Sequence, residues 1–313
     1  MMITVNIASS LKSPLKWAGG KGRLIPQLSC YLPAEMKHGH LPVYFEPFLG
    51  GGAMFFYLAS HGLIKSAYLS DANADLINFY TALMKSTQRL ITEAGILQDA
   101  YNGLSNEFRA DFYNSRRADF NSYGSVYDVE RAALFLFLNK TCFNGLYRVN
   151  SRGEFNTAFG KYKSICLIDS DLAFYFRDLM VNSRAEIFIG DYSTIDYAHA
   201  FIEPERTFVY YDPPYRALSA SACFTSYTEN GFSDTDHQHL AEHFFLLSKY
   251  RIRQMLSNSN PKNTNENDHF FDDLYTAPSC RIGYIEASRA IGCKAESRGK
   301  ITELVITNYV PGQ

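Results

Sequence analysis

The stretch Thr207-Phe208-Val209-Tyr210-Tyr211-Asp212-Pro213-Pro214-Tyr215 constrains the chain more than any other. Its first five residues are β-branched or aromatic, the composition of a buried strand. Two prolines follow, and they lack the N–H that a central ladder needs. The strand must stop at a rigid corner with Asp212 at its carboxyl end. In open α/β sheets, ligands bind beyond that end. An aspartate turn with a proline stop is the plainer reading, and the rest of the chain decides between the two.

Further strand-like runs lie at 42–46, 66–70, 185–189, 250–256 and 301–309, and helical periodicity follows several of them, at Ala53–Ser60, Ala74–Lys85 and Asp234–Ser248. Strands alternating with helices predict an α/β fold with a mainly parallel sheet. Between about 88 and 184 the pattern turns helical with polar turns and then carries a basic segment, 139–163. That stretch reads as an insertion between two halves, 1–87 and 185–313, of one domain. The 313 residues, 46% of them hydrophobic, suffice for such a core. One low-complexity stretch, "SNSNPKNTNEND" at 257–268, reads as a mobile loop.

Six cysteines form no C-x-x-C pair, which argues against zinc and against a disulfide framework, so no metal is expected. Reduced thiols suit a cytoplasmic protein. The start, MMITVNIASSLK, has no sustained apolar segment of the secretory kind, and no apolar run approaches the ~20 residues that span a bilayer. A net charge of -2 offers no global field for a polyanion, which would have to be held by local patches. Three segments supply them. Lys12, Lys16, Lys21 and Arg23 lie in 12–23, and Lys140, Arg148, Arg152, Lys161 and Lys163 face only Glu154 in 139–163. Arg281, Arg289, Lys294, Arg298 and Lys300 face Glu286 and Glu296 in 281–300. Taken singly, each patch also fits an ordinary solvated face.

Gly50-Gly51-Gly52 stands between a strand and a helix, where a bare backbone and free helix N–H groups admit a ligand closely. Asp71 ends the next strand, at the distance that suits ribose hydroxyls in dinucleotide folds. Asp191, in "IFIGDY", ends another. With Asp212, three carboxylates line one sheet edge, which points to a nucleoside ligand and leaves NAD and S-adenosylmethionine both open. "KWAGGKGR" at 16–23 lacks the first glycine and the Ser/Thr of a phosphate-binding loop, which excludes an NTPase.

If the ligand is S-adenosylmethionine, Asp212 acquires a chemical purpose. An exocyclic amine of a nucleobase is a poor nucleophile, because its lone pair is delocalised into the ring. The Asp212 carboxylate and the main-chain carbonyl of Pro213 could accept its two N–H groups and draw the nitrogen toward tetrahedral geometry. Those bonds strengthen as the amine gains positive charge, so they favour the transition state. Tyr215 could stack on the base, and Pro213 and Pro214 hold both acceptors rigidly. The base would have to leave the duplex to reach them. Methylation at cytosine C5 needs a thiolate after a proline, and no Pro-Cys dipeptide occurs.

These residues resemble the DNA adenine-N6 methyltransferases of the Dam type, which act on GATC. The resemblance runs through Lys16-Trp17-Ala18-Gly19-Gly20-Lys21, Glu46-Pro47-Phe48-Leu49-Gly50-Gly51-Gly52, Asp71, "NKTCFNGLYRVNSRGEFN", Gly190-Asp191 and Asp212-Pro213-Pro214-Tyr215, and on into "LSASACFTSYTENGFSDTDHQHLAEH". It implies a Rossmann-like methyltransferase sheet, with 88–184 as a mainly helical target-recognition region carrying a β-hairpin at about 139–163. It implies that Trp17, Lys21, Glu46, Phe48, Gly50, Asp71, Asp191 and Asp212 surround S-adenosylmethionine, Asp71 at the ribose and Asp191 at the adenine. Double-stranded DNA would be met by Lys16, Phe143, Asn144, Leu146, Arg148 and Asn150. Arg148 matches the arginine that reads guanine, and Phe143 stands at an apolar wedge where a tyrosine is common. Thr157-Ala158 replaces a frequent Val-Pro beside the outer base pair.

Other readings remain beside this one. N4-cytosine methylation uses the same pocket logic. A DNA-binding regulator with a dead pocket would have lost Asp212, Tyr215 or the glycines, and all are intact. A dehydrogenase would need a hydride-transfer acid/base pair, and none stands out. Phe224 and Tyr227 are candidates for the base pocket or for packing, Trp17 for core or cofactor wall. Arg148 could instead pair with an acid, but acids are scarce around it. Nothing in the sequence calls for an obligate protein partner.

Overall fold

Val43–Glu46 (β1), Ser66–Asp71 (β2), Ala185–Ile189 (β3), Thr207–Tyr211 (β4), Arg253–Ser259 (β5), Arg281–Ser288 (β6) and Lys300–Thr307 (β7) form one sheet in the order β3-β2-β1-β4-β5-β7-β6. The structure, a computed structural model, describes residues 13–124, 126–216, 232–288 and 300–312. Neighbours from β3 through β5 are parallel, and β7 is antiparallel to both β5 and β6. Successive side chains on a strand point to opposite faces. Tyr44, Phe208, Tyr210, Met255 and Val305 therefore enter one core, and Phe45, Val209, Tyr211, Leu256, Leu304 and Ile306 enter the other. Central β4 is buried at every position, as its composition predicts. The fold is α/β and consistent with a Rossmann-like methyltransferase sheet.

Helices Ala53–Ser60 (α1), Ala74–Lys85 (α2), Thr87–Asn102 (α3), Arg109–Ser122 (α4), Val129–Thr141 (α5), Ser170–Asn182 (α6) and Asp234–Ser248 (α7) flank or extend the sheet. Local chemistry sets several starts. The Asn73 side chain caps α2 by accepting from Leu76 N, and Ser233 with Asp236 forms a capping box on α7. α5 packs against α2, α3 and α4, while α6 packs against α1 and α2. Among the described residues no helix is long and apolar enough to cross a membrane.

The structure differs from the sequence reading in three places. Strand β6 was not expected. Residues 257–259, expected in a mobile loop, continue β5 with Ser257 and Asn258 fully buried, and Asn260 is buried beside them. Each of the three makes a side-chain hydrogen bond, so their polarity does not mark exposure. Third, the segment after α5 is not a regular β-hairpin. Residues 139–141 complete α5, and no continuous strand follows among the described residues to 163. The chain does run out and back, with single pairings Cys142↔Phe159 and Val149↔Phe155. Left-handed Asn144 and Gly145, and the Thr157 hydroxyl donating to Leu146 O at 2.9 Å, replace a continuous ladder.

Candidate active site

The glycine turn after β1 is latched by an acid from β2. Asp71 Oδ2 accepts from Gly50 N and Oδ1 from Asn73 N, each at 2.9 Å. Burial pushes the Asp71 carboxyl up, against these two N–H donors. Gly50 has φ +46, and a Cβ there would lie 2.9 Å from Trp17 Nε1, so only glycine lets the indole lie on the turn. Beneath it, Glu46 is buried. Its Oε2 accepts from Tyr44 Oη at 2.8 Å and from Phe55 N of α1 at 3.1 Å, and burial holds its carboxyl well above the usual range. Phe48 packs its ring against Tyr192 and Phe232. Asp191, past the end of β3, accepts from Ser193 N and Oγ at 2.9 and 2.7 Å.

At the carboxyl end of β4, Asp212 Oδ1 is held twice, by Lys21 Nζ at 2.8 Å and by Ser257 Oγ at 3.0 Å. No described residue hydrogen-bonds Oδ2. Burial raises the Asp212 carboxyl, while the Lys21 ammonium and the Ser257 hydroxyl pull it down. Lys21 is buried, also reaches Gly19 O at 2.7 Å, and sits 4.4 Å from the centre of the Tyr215 ring. Tyr215 Oη donates to Glu303 Oε2 of β7. Ser257 Oγ meets Tyr210 Oη at 2.9 Å. One residue on, Asn258 Oδ1 accepts from Arg216 N and Ser259 Oγ donates to Arg216 O, both at 3.2 Å. The polar end of β5 thus clamps the corner made by the two prolines.

The segment 142–163 borders the same cleft as this corner, through Asn144, Leu146, Tyr147, Val149 and Gly153. Lys16 exchanges main-chain bonds with the Asn139 amide, at 2.9 and 2.6 Å, and its Nζ donates to Lys140 O at 2.9 Å. A Cβ on Gly145, at φ +65, would lie 2.4 Å from Lys16 Cβ, so this close approach requires glycine. Phe143, Asn144 and Arg148 are exposed. Arg148 Nε donates to Asn156 Oδ1 at 2.8 Å, which braces the guanidinium without an acid. Leu146 is half-buried. Asn150, expected at the DNA, also bonds within the turn: its Oδ1 accepts from Arg152 N and Glu154 N, and its Nδ2 donates to Glu154 Oε2. Tyr147 stacks on Trp17 at 6.3 Å and donates to Asp75 Oδ2 at 2.9 Å, while buried Arg131 holds Asp75 Oδ1 at 2.6 Å. Lys140 is desolvated and lies near Lys16, which brings its pKa down to about 8.

Trp17, Lys21, Glu46, Phe48, Gly50, Asp71, Asp191, Asp212 and Tyr215 all line one continuous cleft, which extends to Lys16, Asn144 and Leu146. Its volume of about 3120 Å³ exceeds the roughly 300–1,000 Å³ of a small-molecule pocket. Phe143, Arg148 and Asn150 stand outside its lining. Residues 17–291 match the family described as D12 class N6 adenine-specific DNA methyltransferase. The chain belongs to this family. The methyltransferase is 41% identical over 301 residues to the type II methyltransferase M.MjaIII of Methanocaldococcus jannaschii, covering 96% of this chain and 99% of that one. It is 36% identical to the type II methyltransferase M1.LlaDCHI of Lactococcus lactis subsp. cremoris, covering 96% of each. It is 34% identical to the DNA adenine methylase of Serratia marcescens, covering 93% of this chain and 96% of that one.

Two residues of the methyltransferase's site escaped the sequence reading. Ser257 opens the run taken for a loop. Glu303 is a lone acid inside the apolar stretch ITELVITNY, and that isolation was the available signal. Phe224 and Tyr227 lie outside the described residues, as do Lys12, Arg289, Lys294 and Arg298 of the basic segments.

Proposed function

We propose that this methyltransferase moves a methyl group from S-adenosylmethionine to N6 of an adenine flipped out of double-stranded DNA, within GATC. The observation that carries the reading is the asymmetric hold on Asp212: Oδ1 is bonded by Lys21 and Ser257, and Oδ2 has no partner among the described residues. A carboxylate pinned in this way is oriented to accept one N–H of an exocyclic amine, and the carbonyl of Pro213 accepts the other. Both bonds gain strength as positive charge develops on the nitrogen.

The residues present fit the cofactor. Each Asp71 oxygen uses one acceptor site on the turn and keeps another for a ribose hydroxyl. Asp191 would take the adenine amine, with Phe48 as an apolar wall. Trp17 and Gly50 form the floor, and Glu46 braces the start of α1 from below. S-adenosylmethionine supplies the methyl group. The chain binds and orients both reactants, stacks the flipped base on Tyr215 and excludes water from the corner. Flipping is required because an amine inside a duplex cannot reach Asp212.

Reading falls to 88–184, the proposed recognition region. Arg148, braced by Asn156, carries a fork that suits O6 and N7 of guanine. Phe143, at 55% exposure, would wedge between base steps. Lys16 and Asn144 line the cleft at the base of this segment, and Asn150 shapes its tip. GATC rests on the Dam-type motif and on relatives named DNA adenine methylase. The test is methyl transfer to duplexes with each GATC position changed, with the product base identified. Wild type should prefer GATC and yield N6-methyladenine. Arg148→Ala should lose about 1–3 kcal/mol of discrimination at one guanine–cytosine pair and little elsewhere. N4-methylcytosine as product would overturn the reading. Equal use of all duplexes would overturn its specificity.

A further inference from the structure

Glu303 belongs to none of the roles above. It lies on β7, paired across from Ser259 of β5 and Ile285 of β6, so strands hold it on both sides. Asn260 and Asn263 bind Thr302, the residue before it, through Thr302 Oγ1 at 2.8 Å and Thr302 O at 2.7 Å. Glu303 lines the cleft and accepts the Tyr215 hydroxyl. Its backbone is thus fixed on both sides.

Tyr215 follows the two prolines, and its backbone is held by the clamp on Arg216, which leaves the side chain to be oriented. A tyrosine side chain turns about two bonds, and stacking depends on the plane of its ring. In this site the ring is located by two contacts of different kinds. The Lys21 ammonium lies over one face, 4.4 Å from the ring centre. Glu303 holds the hydroxyl at the edge. The hydroxyl bond fixes the long axis of the ring, and the ammonium over its face limits rotation about that axis; under the proposed function the base takes the face opposite Lys21.

We infer that Glu303 is a positioning residue for methyl transfer, which anchors the long axis of the Tyr215 ring through its hydroxyl, while Lys21 limits rotation about that axis, and so places the flipped adenine amine against Asp212. This rests on the proposed function. It also explains why the one acid of β7 sits mid-strand: it accepts a hydroxyl and faces the Lys21 ammonium. Among the described residues, the groups that meet it are Tyr215, Lys21 and Asp212.

The test is a double-mutant cycle read by single-turnover methyl transfer to a GATC duplex, with cofactor and DNA affinities measured alongside. Glu303→Ala should slow transfer about tenfold, the effect of losing one hydrogen bond to a charged acceptor, and leave both affinities within about twofold. Glu303→Gln keeps an acceptor and should lose less. In a Tyr215→Phe background, Glu303→Ala should cost less than about twofold, because the shared bond is already gone. Tyr215→Phe and Glu303→Gln are isosteric, so a folding failure of the alanine variant leaves the cycle readable through them. Equal loss from the Glu303 change in both backgrounds would overturn the inference, as would a loss confined to cofactor affinity. If wild type transfers no methyl group to DNA, the functional reading itself fails, and the two failures are distinct.

Discussion

Replacing Lys21 by methionine separates two assignments for one buried ammonium. Sequence motifs put Lys21 among the cofactor residues, whereas in the structure its Nζ stands 2.8 Å from Asp212 Oδ1. Hydrogen bonds to charged groups contribute about 1.5–3 kcal/mol, and one pKa unit corresponds to about 1.4 kcal/mol. Losing the ammonium should therefore lift the Asp212 carboxyl by about one to two units, beyond the rise that burial already causes. Asp212 must be ionised to accept the amine. Its folded pKa is raised, so activity is present above that pKa and lost as pH falls through it. Lys21→Met should move this acid limb to higher pH by the same one to two units. The assay is single-turnover methyl transfer to a GATC duplex from about pH 5 to about pH 9, read as the acidic limb of the profile. Lys21→Arg, which keeps the charge, should move it less. An unmoved limb with weakened cofactor affinity would refute the reasoning and return Lys21 to the cofactor.

Ser257→Ala removes the hydroxyl that joins Tyr210 to Asp212. It should slow single-turnover transfer about five- to tenfold, the worth of one hydrogen bond of about 1–1.5 kcal/mol, with little change in DNA affinity by filter binding. Lys140, with a pKa brought down to about 8, is charged below that pH and neutral above it. If it meets a phosphate, the slope of log affinity against log salt should shrink by up to about one unit as pH rises through 8, and Lys140→Met should abolish the change.

The parallel sheet was legible because its strands are apolar and its helices periodic. Ala53–Ser60, Ala74–Lys85 and Asp234–Ser248 are helices with the limits their patterns predict. The three acids at strand ends could be placed because each follows an apolar run, and the cleft lining includes all three. What stayed hidden depends on partners far away in sequence. Ser257 and Asn258 look like loop residues until Asp212 and Arg216 supply their hydrogen bonds. Strand β6 gains its place only from β7, which comes later in the chain. The segment 142–163 has the composition of a hairpin. Its course is set instead by Gly145 against Lys16 and by Tyr147 between Trp17 and Asp75, contacts that no local pattern contains.

The neighbours β1 and β4 have a consequence for how the molecule is made. They pair Val43 with Thr207, so the glycine turn and the proline corner, each at the end of one of these strands, become adjacent only when a very long stretch of chain closes. Such closure is slow, because its entropy is spent before the contacts reward it. The intervening helices α3 to α5 pack mainly on one another and on α2, across much shorter spans of chain, which close sooner. A newly synthesised chain should therefore acquire much of the proposed recognition region early, and the glycine turn and the proline corner together in one late event. A substitution that delays this strand pairing should postpone both by the same interval, even where it touches neither.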